Sequence, residues 1–185
     1  LSSYAKSKVK IEKYLLSIKK KSFRPIILRF STAFGLSPRM RFDLTVNEFV
    51  KDLFLYKKVK VYDENTWRPY CHVKDFARLM LFLLNKKKRN LSGEVFNVGS
   101  NKNNFTKKNI SETVLSRIKK GKILFIKGGN DPRNYRVNFS KLENKLGFKT
   151  KYSLNYGIDE IINFFKSKKI NAKKFKLEKY GNFKI

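Results

Sequence analysis

The chain has 185 residues, 41% of them hydrophobic and 15% aromatic, and carries a formal charge of +30 from 44 basic against 14 acidic side chains. That is enough for one folded domain with a real core, and too apolar for a disordered chain. The longest aliphatic-aromatic run, Leu79 to Leu84, falls far short of the roughly 20 residues that span a bilayer, and nothing at the front resembles a signal peptide, so a soluble, cytoplasmic protein is expected. The lone cysteine, Cys71, cannot close an internal disulfide, which fits a reducing compartment. So large a positive charge would ordinarily point toward nucleic acid. Here the lysines are scattered over every segment, with short clusters at Lys19–Lys21, Lys86–Arg89 and Lys173–Lys176, and are not gathered with aromatics into one recognition element.

In chain order, the first predicted element is a helix with Val9, Ile11, Tyr14, Leu15 and Ile18 on its apolar side. It opens with Tyr4 and Lys8, whose spacing places both side chains on one face. An ammonium held one turn from a phenol favours the phenolate, so the pair can act as a general acid/base. Ile26–Phe30 reads as a buried strand, and helix followed by buried strand suggests half of a doubly wound sheet. A loop to Asp43, taken as a helix cap, leads into a helix over about 44–56. The alternating Val59–Tyr62 is a half-buried strand closed by a turn at Asp63–Asn65. A strongly apolar helix runs from Asp75 to Leu84, Val95–Val98 is a strand, and 101–108 is a polar loop before a helix at about 110–119. Ile123–Ile126 is a strand, Gly128–Pro132 a turn, Ser140 caps a short helix through Leu146, and Ser153 starts the last helix. Residues 171–185 form a basic tail of unsettled order.

Several of these stretches form a recognisable series: Tyr4-Ala5-Lys6-Ser7-Lys8, Leu28-Arg29-Phe30-Ser31-Thr32-Ala33-Phe34-Gly35, the Arg68-x-Tyr70-x-His72-Val73-x-Asp75 segment, Val95-Phe96-Asn97-Val98-Gly99, Asp131-Pro132-Arg133 and Leu146-Gly147-Phe148. In order and spacing, over about residues 1–165, the series resembles the second half of an extended short-chain dehydrogenase/reductase of the nucleotide-sugar epimerase and dehydratase type. The resemblance implies an α/β fold: the second half of a Rossmann-type parallel sheet from residues 1–35 and 69–100, with a smaller α+β substrate lobe from 36–68 and 101–168. Residues 169–185 form a basic tail. It also implies NAD or NADP as cofactor, a nucleotide-activated sugar as substrate, and a homodimer formed through the helix bearing the tyrosine. Tyr4 and Lys8 are then the catalytic pair, with Lys8 also holding the nicotinamide ribose and Phe30 lying near the nicotinamide. Thr32 takes a substrate-contacting position where many relatives have asparagine, Tyr62 stands against the base or packs in its strand, and Arg68 and Arg133 bind the diphosphate, which guanidinium forks suit better than ammonium groups do.

The nine glycines nowhere show the spacing of a dinucleotide-binding loop, which needs close backbone approach and a helix N-terminus. The chain is therefore expected to be the C-terminal portion of an enzyme, inactive by itself. Cys71 and His72 are adjacent in a strand and point to opposite faces, and no second histidine or cysteine exists, so no metal site is expected and His72 reads as a structural histidine beside the bound nucleotide. The reaction expected is epimerisation, with dehydration and reduction open because all three share one proton and hydride step. A non-catalytic basic protein that binds nucleic acid or a partner is the alternative.

Overall fold

The structure is a computed structural model that describes residues 2–18, 22–85, 91–129 and 133–176. The lysine clusters at 19–21 and 86–89, Asp131, Pro132 and the tail from 177 lie outside the described residues. The elements are α1 (Ser3–Ser17), β1 (Ile27–Phe30), β2 (Thr32–Phe34), α2 (Thr45–Tyr56), β3 (Lys58–Tyr62), β4 (Trp67–His72), α3 (Val73–Leu84), β5 (Val95–Val98), β6 (Asn104–Thr106), α4 (Lys107–Ile118), β7 (Lys122–Ile126), α5 (Ser140–Leu146) and α6 (Leu154–Ser167). This is a mixed α/β architecture, as expected. β1 pairs in parallel with β5, with Leu28 opposite Phe96 and Phe30 opposite Val98, so a strand from residues 1–35 and one from residues 69–100 are parallel neighbours. β2 pairs in parallel with β4, β6 lies antiparallel on the far edge of β4, and β3 pairs in parallel with β7. Between β1 and β2 the path is broken at Ser31, whose N–H and hydroxyl both donate to the Val98 carbonyl.

Two apolar clusters hold these elements together. One collects Phe34, Phe42, Val50, Leu53, Tyr70, Ile110, Ile158 and Phe165, and the other Leu79, Phe96, Val98, Leu142, Leu146 and Phe148. In α2 the buried residues Val46, Phe49, Val50 and Leu53 recur at helical spacing, which turns the opposite stripe outward. Lys57, with φ of 57°, ends that helix in the left-handed conformation and sends the chain straight back along β3, where Val59 and Val61 point inward and Lys58, Lys60 and Tyr62 outward.

Several boundaries differ from the sequence reading. Asp43 does not cap α2: Leu44 occupies that position and the Asp43 carboxylate accepts both bonds of an Arg41 fork. α3 begins two residues before Asp75, because the His72 ring accepts the Lys74 N–H and caps it. The expected loop at 101–108 contains a short 3-10 turn, strand β6 and the start of α4, capped reciprocally by Thr106 and Asn109. Short polar strands of this kind have no apolar alternation to reveal them. Phe139, and not Ser140, caps α5. The tail does not begin as loose chain: Phe175 packs edge-on against Phe42 and near Phe165, and Asn171 caps the turn before it. The amphipathic α1 buries none of its residues; Val9, Ile11 and Tyr14 stay exposed, and its cross-link to the sheet is the Glu12–Arg29 ion pair.

The joint between α6 and the end of β4 is polar. His72 is fully buried, and its Nε2 lies 2.6 Å from Glu160 Oε1. The other Glu160 oxygen accepts from Lys74 Nζ at 2.7 Å, and the Leu36 N–H also donates to this carboxylate. Gly35, at φ +105°, passes so close that an added Cβ would lie 2.2 Å from the imidazole, which leaves room for no other residue. Burial alone would raise the Glu160 carboxyl, but the bonds from His72, Lys74 and Leu36 outweigh it and hold the group below its ordinary 4.5. A depressed carboxyl stabilises the fold above the unfolded value, and that stabilisation is lost as pH falls through the folded one. Glu160→Gln should therefore melt lower at neutral pH and lose less stability than the wild type on acidification below 4.5. Thermal melts across that range check this, and parallel pH profiles would show that the carboxylate does not hold the joint.

Candidate functional site: a bipolar cleft between α2 and β3

The outward stripe of α2 and the outward face of β3 form two walls of a cleft of about 770 Å³. Thr45, Glu48, Phe49, Asp52 and Tyr56 come from the helix, Lys58, Lys60 and Tyr62 from the strand, and Thr32, Arg68, Lys107 and Arg133 close the remainder. Four residues singled out as substrate-binding, Thr32, Tyr62, Arg68 and Arg133, are thus brought together from β2, β3, β4 and the segment before α5. β2 and β4 carry Thr32 opposite Tyr70, two residues along from Arg68. Arg68 is only 7% exposed. Its guanidinium donates to its neighbour's carbonyl, Trp67 O, at 3.2 Å and to the carbonyl of Arg133, and it stacks over the Tyr135 ring. The Arg68 side chain thereby fastens the Arg133 segment to β4. Tyr62 exposes 45% of its surface, and its carbonyl accepts from Lys107 Nζ at 2.8 Å.

The cleft is electrically two-sided. Arg68, Arg133, Lys58, Lys60 and Lys107 line it together with Asp43, Glu48 and Asp52. Burial, and next the neighbouring Asp52, push the Glu48 carboxyl above its ordinary range. Sequence reasoning missed Glu48, Asp52, Lys60 and Lys107. The signal for the first two was present in the spacing of 48, 52 and 56 along one face of α2.

The other predicted residues lie elsewhere. Tyr4 and Lys8 share one face of α1, with Lys8 Nζ 5.4 Å from the Tyr4 ring centroid and Tyr4 73% exposed. Phe30, at the end of β1, is 43% exposed and meets Phe76 at 4.4 Å between centroids. None of the three lines the cleft. Neither does His72, which is buried in the joint with Glu160 as a structural histidine. Cys71 is also buried, which pushes its thiol up to about 12 and leaves it a poor nucleophile or metal ligand. Among the described residues no group of three or more His, Cys, Asp or Glu could hold a metal, and no helix is long and apolar enough to cross a membrane. A second cavity of about 730 Å³ lies between the Gly99–Asn103 turn and the Phe148–Asn155 segment, with Lys102, Lys149 and Lys151 in its lining.

Arg68→Lys keeps the charge and loses the fork that reaches the Arg133 carbonyl. Faster amide exchange is expected at Tyr135, whose N–H donates to Trp67 O at 3.3 Å, with the core amides of α6 unchanged. Unaltered exchange at Tyr135 would show that Arg68 does not fasten this segment.

Comparison with known proteins gives this cleft its context. The profile of the NAD dependent epimerase/dehydratase family matches residues 1–99. An uncharacterized protein of Methanocaldococcus jannaschii is 30% identical over 141 residues, which cover 75% of this chain and 41% of that protein. Among solved structures, dTDP-glucose 4,6-dehydratase of Bacillus anthracis in complex with NAD is 26% identical with a TM-score of 0.75, over 90% of this chain and 53% of that one. UDP-glucose 4-epimerase of Thermotoga maritima with UDP-glucose is 21% identical with a TM-score of 0.76, over 92% and 55%. The chain spans about half the length of these solved relatives. Its parallel strands and helices match part of their Rossmann-type fold, and the chain belongs to the NAD dependent epimerase/dehydratase family.

Proposed function

We propose that this chain supplies the substrate cleft and the Tyr-Lys pair of an NAD(P)-dependent enzyme acting on a nucleotide-activated sugar, with epimerisation as the reaction and dehydration or reduction as variants of the same step. Residues 36–68 and 101–168 form its substrate lobe, and the tyrosine-bearing helix its homodimer contact, a role that the exposed Val9, Ile11 and Tyr14 of α1 support. A cytoplasmic setting is part of the same reading. The observation that carries it is the convergence of Thr32, Tyr62, Arg68 and Arg133 on one cleft. In this reading the two arginines take the diphosphate, Tyr62 packs on the base, and Thr32 faces the sugar. A cleft that also holds carboxylates and is walled by one helix and one strand suits a small bipolar ligand better than a nucleic-acid backbone, which needs a continuous basic track.

The residues present fit one end of a nicotinamide cofactor. Tyr4, Lys8 and Phe30 are exposed on α1 and at the end of β1, where they could hold the nicotinamide and its ribose. The nine glycines of the chain nowhere show the spacing of a pyrophosphate-cradling loop, so in this reading the cradle belongs outside these 185 residues. When bound, the cofactor supplies hydride acceptance and return. Tyr4 moves the proton at the reacting sugar hydroxyl, Lys8 holds the ribose, and the cleft residues keep the sugar in register through contacts remote from the reacting carbon.

Two tests follow. Calorimetry of the 185-residue chain with NAD should give no micromolar binding, and micromolar affinity would mean that the cradle has been misplaced. In an enzyme completed with a glycine-loop half, Tyr4→Phe should lower turnover by at least about 10²-fold with little change in substrate binding. Arg68→Ala and Arg133→Ala should instead raise the apparent substrate constant more than they slow turnover. An active Tyr4→Phe enzyme would leave the catalytic assignment without support.

A further inference from the structure

Three carboxylates enter the cleft, and two of them are already engaged. Asp43 is held by the Arg41 fork at 2.8 and 2.6 Å, and Asp52 by Lys51 at 3.1 Å. The Glu48 carboxylate, half-buried in the same wall, has neither a hydrogen bond nor an ion pair among the described residues. A carboxylate withdrawn from water without donors is costly to keep charged, and two N–H groups from a ligand would relieve that cost. Burial raises the Glu48 carboxyl, as an unsatisfied site of this kind should.

Glu48, Lys107 and Tyr62 line the same cleft, and the Lys107 ammonium donates to the Tyr62 carbonyl. The function proposed above puts the base at Tyr62. Resting on that reading, we infer that Glu48 selects the base of the nucleotide sugar, taking guanine through two parallel N–H donors and disfavouring uracil and thymine. Guanine presents N1–H and its exocyclic amino group side by side, matching the two oxygens of an ionised carboxylate, which only accepts. Uracil and thymine offer one N–H flanked by two carbonyls, so the carboxylate would gain one bond and face two acceptors. Adenine and cytosine place a ring acceptor next to the amino group and pair no better. A well-formed bidentate contact discriminates by about tenfold or more.

The test is calorimetry of the 185-residue chain with GDP, UDP, TDP and inorganic pyrophosphate, for the wild type, Glu48→Gln and Arg68→Ala. GDP should bind at least about tenfold more tightly than UDP or TDP. Glu48→Gln, which replaces one acceptor with a donor, should erase that difference by weakening GDP alone, with its melting temperature close to the wild type's. If UDP or TDP binds as tightly as GDP while Arg68→Ala weakens all three, the cleft assignment stands and the role of Glu48 is overturned. Pyrophosphate binding as tightly as GDP overturns it as well, because no base is then being read. If none of the nucleotides binds, the cleft assignment fails and the inference fails with it.

Discussion

The arrangement depends on one buried strand, β4, and on what is tied to its two ends. β4 is paired along both edges, in parallel to β2 and antiparallel to β6, and all of it but Trp67 is buried. At its start Arg68 turns toward the cleft and holds the carbonyl of Arg133. At its end His72 caps α3 and meets Glu160 of α6. One six-residue strand thus sets both the basic rim of the cleft and the seat of the last helix. A polar joint is an unusual way to anchor a helix, since a buried ion pair broken on one side leaves an uncompensated group behind. In exchange it fixes position: Gly35, Gly157 and the rings of Tyr152 and Tyr156 all pack around the His72 imidazole.

Charge is the feature most easily misread. A surplus of +30 suggests an electrostatic binder, yet the structure spends much of its small stock of carboxylates on local pairs, such as Glu12 with Arg29, Asp159 with Arg117 and Glu94 with Lys141 and Lys145. These are mostly exposed pairs that contribute little to stability. Against such a background, carboxylates lining a concave wall opposite arginines mark the place where charge is organised. The scattered lysines do not.

Much of the fold was legible because apolar period and residue order carry it. The i, i+3, i+4 pattern of Val46, Phe49, Val50 and Leu53 located α2, the alternation at Val59 and Val61 located β3, and the apolar run Ile27–Phe30 located β1, although it is half-buried at Ile27 and Leu28 and exposed at Arg29 and Phe30 and not buried as the run suggested. What stayed hidden was non-local or polar. β6 is a three-residue strand of Asn, Phe and Thr, visible only through its pairing with β4. Glu160 lies 88 residues from His72, and no local pattern predicts that contact. Arg68 and Arg133 were singled out through the motifs around them; their meeting through a backbone carbonyl was not foreseeable from either motif. α1 shows the reverse case, since its amphipathic pattern is plain while Val9, Ile11 and Tyr14 of its apolar side stay exposed.

In the proposed function the α2–β3 cleft receives the nucleotide end of an activated sugar, with its diphosphate on Arg68 and Arg133. A crystal structure of this chain grown with a nucleoside diphosphate sugar tests it most directly. Both guanidinium groups are expected within hydrogen-bond distance of phosphate oxygens, with the base against Tyr62. Ligand seated instead in the cavity beside Lys102, Lys149 and Lys151, with the α2–β3 cleft empty, would contradict it.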